Sequence, residues 1–176
     1  MHITPTDFDE TFLIQLRPHI DERGSFTRVF SQDIFRKHGL GISFPEHSVA
    51  RNTRIGVLRG LHYQAEPYGE VKVIRCAVGH VFDVLVDMRP SSKTFGRWIS
   101  FDLDAAKNEM LYVPAGIAHG YQTLSDISQI EYLISEIYNP ATSCGIKWNS
   151  EALAIPWPIA DPILSDRDRS HPAFIP

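Results

Sequence analysis

Cysteine is the scarcest resource of this 176-residue chain: Cys76 and Cys144 are the only two, and they stand far apart. Two scattered cysteines are too few for a disulfide framework and lack the close spacing of a cysteine-based metal knuckle. The expectation is two reduced thiols in a cytoplasmic protein. Long apolar runs are missing as well. Nothing approaches the ~20 residues that cross a bilayer, and the start, Met1 to Asp7, is too polar for a signal peptide. An excess of positive charge is also lacking, since 17 Lys and Arg stand against 21 Asp and Glu for a net −4. That balance argues against nucleic acid or an anionic membrane as the main partner, and any bound anion must be met by local cations. Repeats, low-complexity tracts and charge blocks are absent, and proline and glycine are spread rather than gathered in a linker. Residues 1–176 therefore read as one domain.

Helix is scarce too. The best candidate runs from Ser31 to His38, with Ser31 as N-cap, Asp33 in the first turn and Gly39 as the stop. A second short one lies near Ala105-Ala106-Lys107. Period-two alternation fills most of the rest: 12–16, 71–76, 81–87, 97–103, 110–113 and 130–134 read as strands. Turn signals at 78–80, 88–92, 114–116 and 138–140 separate them. Many short strands with almost no helix predict an all-β jelly-roll barrel, a form able to enclose one small ligand. Lys72, Asp83 and Tyr132 each break an apolar strand, and an inward position would turn them toward such a cavity.

Two segments set a histidine beside glycine at the edge of a strand: Leu58-Arg59-Gly60-Leu61-His62-Tyr63-Gln64 and Pro114-Ala115-Gly116-Ile117-Ala118-His119-Gly120. Imidazole suits proton transfer near neutral pH, with an ordinary pKa of about 6.5. Arg59 and Lys72 nearby suit an anionic substrate that passes through a negatively charged intermediate; an ammonium beside an enolate oxygen lowers the barrier where charge develops. The phenol of Tyr132 is a candidate proton donor. Paired histidines also suggest a metal. The metal-binding cupin pattern, however, needs a second histidine where Gln64 stands, so a barrel working without metal is the better reading. Asp168 reads as one more charge in a surface tail, unless the fold brings it behind His62.

Taken together, these residues resemble the dTDP-4-dehydrorhamnose 3,5-epimerase family of nucleotide-sugar epimerases. The resemblance runs in order from Asp21-Glu22-Arg23-Gly24-Ser25-Phe26, through the two histidine segments and Asp87-Met88-Arg89-Pro90-Ser91-Ser92, to Leu164-Ser165-Asp166-Arg167-Asp168. It implies a cupin-type jelly roll, a homodimer, no metal and no organic cofactor. It further implies a nucleoside-diphosphate 4-keto-6-deoxyhexose as substrate, whose ketone acidifies the protons on C3 and C5. By resemblance His62 is the base and Asp168 its carboxylate partner. Lys72 lies at the sugar oxygen, and Tyr132 returns a proton to the opposite face. Arg59, His119 and Arg167 are expected substrate contacts, and Arg23 a diphosphate contact across the dimer.

Departures from the family pattern fall on the nucleotide side. Arg28 stands where an acidic residue is usual, His47 and Val49 replace a glutamine and an asparagine, and Ser143 replaces a glutamate. Of an aromatic pair only Tyr138 remains, after Ile137. Reversing a charge exchanges a hydrogen-bond acceptor for donors, which predicts retained chemistry with a nucleotide other than thymidine. The rival expectations are a sugar-nucleotide ketoisomerase on a similar barrel and a non-catalytic sugar-binding cupin. A metal-dependent cupin ranks last.

Overall fold

The computed structural model describes residues 1–176. In chain order the strands begin with β1 (His2–Pro5), β2 (Phe12–Gln15), β3 (His19–Asp21) and β4 (Gly24–Phe26). Helix α1 (Gln32–Lys37) follows, then β5 (Glu46–Asn52), β6 (Leu58–Gln64), β7 (Lys72–Val78) and β8 (His80–Asp87). The chain continues through β9 (Trp98–Asp104), β10 (Glu109–Val113), β11 (Ile117–Thr123), β12 (Ser128–Ile134), β13 (Ser143–Gly145) and helix α2 (Asp166–Ser170). A single 3₁₀ turn covers Ala105–Lys107, where Asp104 caps it by accepting from the Ala106 amide.

Two antiparallel sheets face each other, ordered β1-β2-β10-β7-β12-β5 and β13-β6-β11-β8-β9, and β3–β4 forms a separate hairpin. This is the expected jelly roll. Alternation sorts the side chains. Ile74 and Cys76 on β7, Leu111 and Val113 on β10, Leu85 on β8, Tyr121 on β11 and Ile130 on β12 meet between the sheets. The alternate residues turn outward. Ile14, Val73, Met110 and Tyr112 pack under Phe35 of α1, while Val84, Val86 and Ala118 pack under Ile146, Leu153 and Phe174. Strands covered on both faces, such as β8 and β11, are buried almost throughout.

The helix expected at Ser31–His38 is present, one residue shorter at each end; Ser31 holds the N-cap position without a side-chain hydrogen bond, and Gly39 ends it at φ +70°. The last stretch of chain corrects one expectation. It is no surface tail: the Ile163 amide donates to the Gly56 carbonyl at 2.8 Å, the Leu58 amide to the Ile163 carbonyl at 2.9 Å, and Phe174 joins the core. This pairing runs parallel to the start of β6 and carries α2 back across the barrel mouth.

Candidate active site

β6 and β11 pair with His62 opposite His119, so both rings rise from neighbouring strands. α2 then places Asp168 behind His62, and His62 Nε2 lies 2.6 Å from Asp168 Oδ1. Ser165 fixes the turn that makes this possible: its hydroxyl accepts from the Asp168 amide at 3.1 Å as the N-cap of α2. Asp168 is buried, although a lone carboxylate there would be costly. Burial pushes its carboxyl up, but hydrogen bonding and charge from His62, with Ser165, more than offset this and hold it below the usual carboxylate range.

Lys72 opens β7 in phase with Ile74 and Cys76, so it points between the sheets, and it is 8% exposed. Its Nζ donates to the His62 carbonyl at 3.1 Å and pairs with Glu70 Oε1 at 2.8 Å. An ammonium has three donors, so one is left to face the cavity. Tyr132 lies near the end of β12, which runs antiparallel to β7, and therefore at the same end of the barrel. Its phenol is held well above the ordinary tyrosine value, first by burial and then by the neighbouring Tyr121 and Asp83. It stays protonated at neutral pH, as a proton donor must.

His119 packs edge-on against Tyr132, with ring centroids 5.9 Å apart, and its Nε2 lies 2.7 Å from Asp83 Oδ2. Burial pushes the Asp83 carboxyl upward against the pull of His119. Asp83 is thus placed behind His119 rather than at the cavity wall. Arg59 donates from Nε to Asn52 Oδ1 at 2.9 Å, and the buried Asn52 donates in turn to Tyr121 and Ser128, both at 3.1 Å. That brace engages Nε alone, on a side chain that lines the cavity.

These groups line one cavity of about 330 Å³, with His62, Asp168, Lys72, Tyr132, His119, Arg59 and Arg167 all on its wall. Seven of the twelve site residues expected from sequence are therefore brought together. Ser143 is joined to them through Arg167, whose Nη2 donates to its hydroxyl at 2.7 Å. Tyr138 is exposed beside this pair, and hydrogen bonds from Ser143 and Arg167 lower its phenol. The remaining three stand apart. His47 alternates with Ser48, which faces the cavity, and so takes the other face of β5. Arg28 lines a separate hollow with Arg17 and His19, and Arg23 sits exposed on the β3–β4 hairpin, paired with Asp21 at 2.6 Å.

Sequence reasoning missed Glu70, Asn52 and Ser165 as supports. Only Ser165 carried a signal, as a serine just before a short charged turn. His62, Asp168 and His171 hold three atoms of metal-ligand type within 4.8 Å of one another. The 2.6 Å separation between Nε2 and Oδ1 is hydrogen-bond geometry, a contact suited to proton transfer. A histidine oriented by a buried carboxylate, facing an ammonium and a protonated phenol across one cavity, can remove a proton from one face of a substrate. The same cavity offers an oxyanion contact and a proton donor on another face.

A sequence model of the dTDP-4-dehydrorhamnose 3,5-epimerase family matches residues 5–175. The dTDP-4-dehydrorhamnose 3,5-epimerase of Shigella flexneri is 39% identical over 176 residues, covering 99% of this chain and 97% of that one. Among solved structures, the Bacillus anthracis dTDP-4-dehydrorhamnose 3,5-epimerase with TDP and PPi bound superposes with a TM-score of 0.96 at 36% identity, covering 98% and 99% of the two chains. A 3'-monoepimerase from Streptomyces bikiniensis in complex with dTDP-quinovose superposes at 0.91, with 34% identity and coverage of 98% and 86%.

Proposed function

The chain belongs to the dTDP-4-dehydrorhamnose 3,5-epimerase family, and from that membership we propose how its own residues carry the reaction. It is a sugar-nucleotide epimerase, an isomerase of deoxysugar biosynthesis. The proposed substrate is a dTDP-linked 4-keto-6-deoxyhexose, a reading supported by the TDP-bound and dTDP-quinovose-bound relatives. Asp168 accepts the Nε2 proton of His62, which leaves the lone pair on Nδ1. Nδ1 takes the proton from a carbon next to the ketone, and the carboxylate offsets the imidazolium that forms. The electrons move to the 4-oxygen, where the free donor of Lys72 meets the enolate. The phenol of Tyr132 then protonates the same carbon from the opposite face, which inverts it. Arg59, His119 and Arg167 hold the sugar and its diphosphate.

The 2.6 Å contact between His62 and Asp168, in one cavity with Tyr132 and Lys72, is the observation that carries this reading. The test is solvent deuterium incorporation into dTDP-4-keto-6-deoxyglucose, followed by NMR at C3 and C5, with His62→Ala as control. Label at one or both carbons, lost in the variant, supports the assignment and counts the centres inverted. Undiminished exchange in His62→Ala would sink it.

A second reading, of a nucleotide other than thymidine, rests on the Ser143–Arg167 pair beside the cavity and on the charge reversal at Arg28, which lines a separate hollow. Binding of a panel of nucleoside diphosphates separates the two, and clear preference for dTDP would remove the second. We also read residues 1–176 as a single domain that works as a homodimer. The β3–β4 hairpin exposes Ile20 at 80% and Phe26 at 69%, apolar area suited to a second copy. Light scattering that gives a monomer mass would overturn the dimer.

A further inference from the structure

Outside the residues used so far, one titratable ring lies against the dyad. His171 follows α2, and its Nε2 stands 3.6 Å from Asp168 Oδ1, the oxygen that His62 already contacts. The two imidazoles meet edge to face, with centroids 5.4 Å apart and planes at 73°. Nε2 of His171 is buried and has no hydrogen-bond partner. The ring fits because β13 presents Gly145 directly opposite His62, and any Cβ on Gly145 would overlap all three polar-edge atoms of the His171 ring. Just beyond, the Lys147 amide donates to the Pro172 carbonyl at 2.8 Å, which pins the segment in place.

We propose that His171 is a positioning residue that acts through Asp168 on the base His62, seated in a slot that Gly145 keeps open. The inference rests on the assignment of His62 as base. His62 is hydrogen-bonded to Asp168 Oδ1, and His171 stands 3.6 Å from the same oxygen, so both rings lie within reach of one carboxylate. A neutral His171 turned slightly inward donates to Asp168 and weakens its hold on the His62 imidazolium. A protonated His171 does so more strongly and repels that imidazolium as well. Either way the hold of Asp168 on the His62 imidazolium is weaker than it would be without His171. The groups facing His171 are His62 from β6, with Asp168 and Arg167 from α2; β13 offers only the bare Gly145. Burial, then the charge of His62, lowers the His171 ring, against the opposing pull of Asp168. His62 in turn faces Asp168, Lys72, His119, Arg59 and Tyr132 in the cavity.

The test compares His171→Ala and His171→Gln, the glutamine restoring an N–H near Nε2 without a titratable ring. His171→Ala should lower kcat about tenfold with KM nearly unchanged, and His171→Gln should recover most of that loss. The acid limb of kcat/KM should move up by about half a pH unit or more in His171→Ala. The His62 ring signal, titrated by NMR in the ligand-free protein, should move the same way. Equal losses in both variants with an unmoved acid limb and an unmoved His62 signal would overturn the proposal, as would wild-type kinetics in His171→Ala. If His62→Ala keeps full exchange activity, the base assignment fails instead. The NMR titration reads the link between the rings whichever way that control falls.

Discussion

Nε2 of His62 and Oδ1 of Asp168 stand 2.6 Å apart, although 106 residues separate them in the chain. One partner rises from a strand of the barrel and the other from a five-residue helix laid over its mouth. The contact fixes which ring nitrogen carries the proton, and so which one is free to take another. Removing the negative charge while keeping the shape isolates that effect. Asp168→Asn is expected to lower kcat by about 10²–10³-fold with little change in KM. Steady-state kinetics check it, and a loss confined to KM would point to substrate binding instead.

The task proposed for Tyr132 is complementary: with the base intact and the donor gone, proton removal would continue while inversion stalls. Tyr132→Phe should retain deuterium exchange into the substrate but lose epimer formation by about 10²-fold or more. NMR of the reaction in D2O reads both quantities in one sample. Equal loss of the two would assign Tyr132 to binding.

Away from the cavity, Asp87 is fully buried at the end of β8. Burial pushes its carboxyl up, but Arg89 at 2.8 Å, with Ser92 and Thr94 both at 2.6 Å, more than offsets this and holds it down at about 2. A depressed carboxyl contributes stability that is complete above the unfolded value of 3.8 and is lost as pH falls toward about 2. That difference corresponds to about 2 kcal/mol. Asp87→Asn should lower Tm at pH 7, and the gap from wild type should narrow between pH 4 and pH 2.

Both thiols are free, as expected, and they differ in access. Burial pushes the Cys76 thiol up to about 11, and Cys76 is 4% exposed, whereas Cys144 is partly open on β13. Thiolate is the reactive form. A disulfide reagent should therefore label one thiol per native chain, Cys144, and the second only after unfolding. Fast labelling of Cys76 in the native protein would contradict the packing.

The sequence made the strands of the two facing sheets largely legible, because alternation survives wherever one face of a strand is core and the other is not. It placed β2, β7, β8, β9, β10 and β12 within about two residues, and the turns between them. It carried no clear sign of β1, β3 or β4, which are three or four residues long and mostly exposed, or of β13, three residues long and half-buried. Lys72 and Tyr132 were legible as inward positions because each interrupts an apolar period. Asp168 was not, since Leu164-Ser165-Asp166-Arg167-Asp168 has the composition of any solvated turn. What buries it is a pairing with Gly56 and Leu58 that no local pattern encodes. Asn52 was hidden for the same reason, since its partners Tyr121 and Ser128 are distant in sequence, whereas Glu70 pairs with Lys72 two residues on and was missed because no periodicity marks a carboxylate just before a strand.

The backbone pairing of Ile163 with Gly56 and Leu58 also sets an order of events. A ribosome makes the chain from the N-terminus, so Lys72, His119 and Tyr132 are all translated before Asp168. The nascent barrel can therefore close around a pocket whose histidine still lacks its carboxylate. The proposed proton transfer thus waits on the strap that carries Asp168, which is translated after His62, Lys72, His119 and Tyr132.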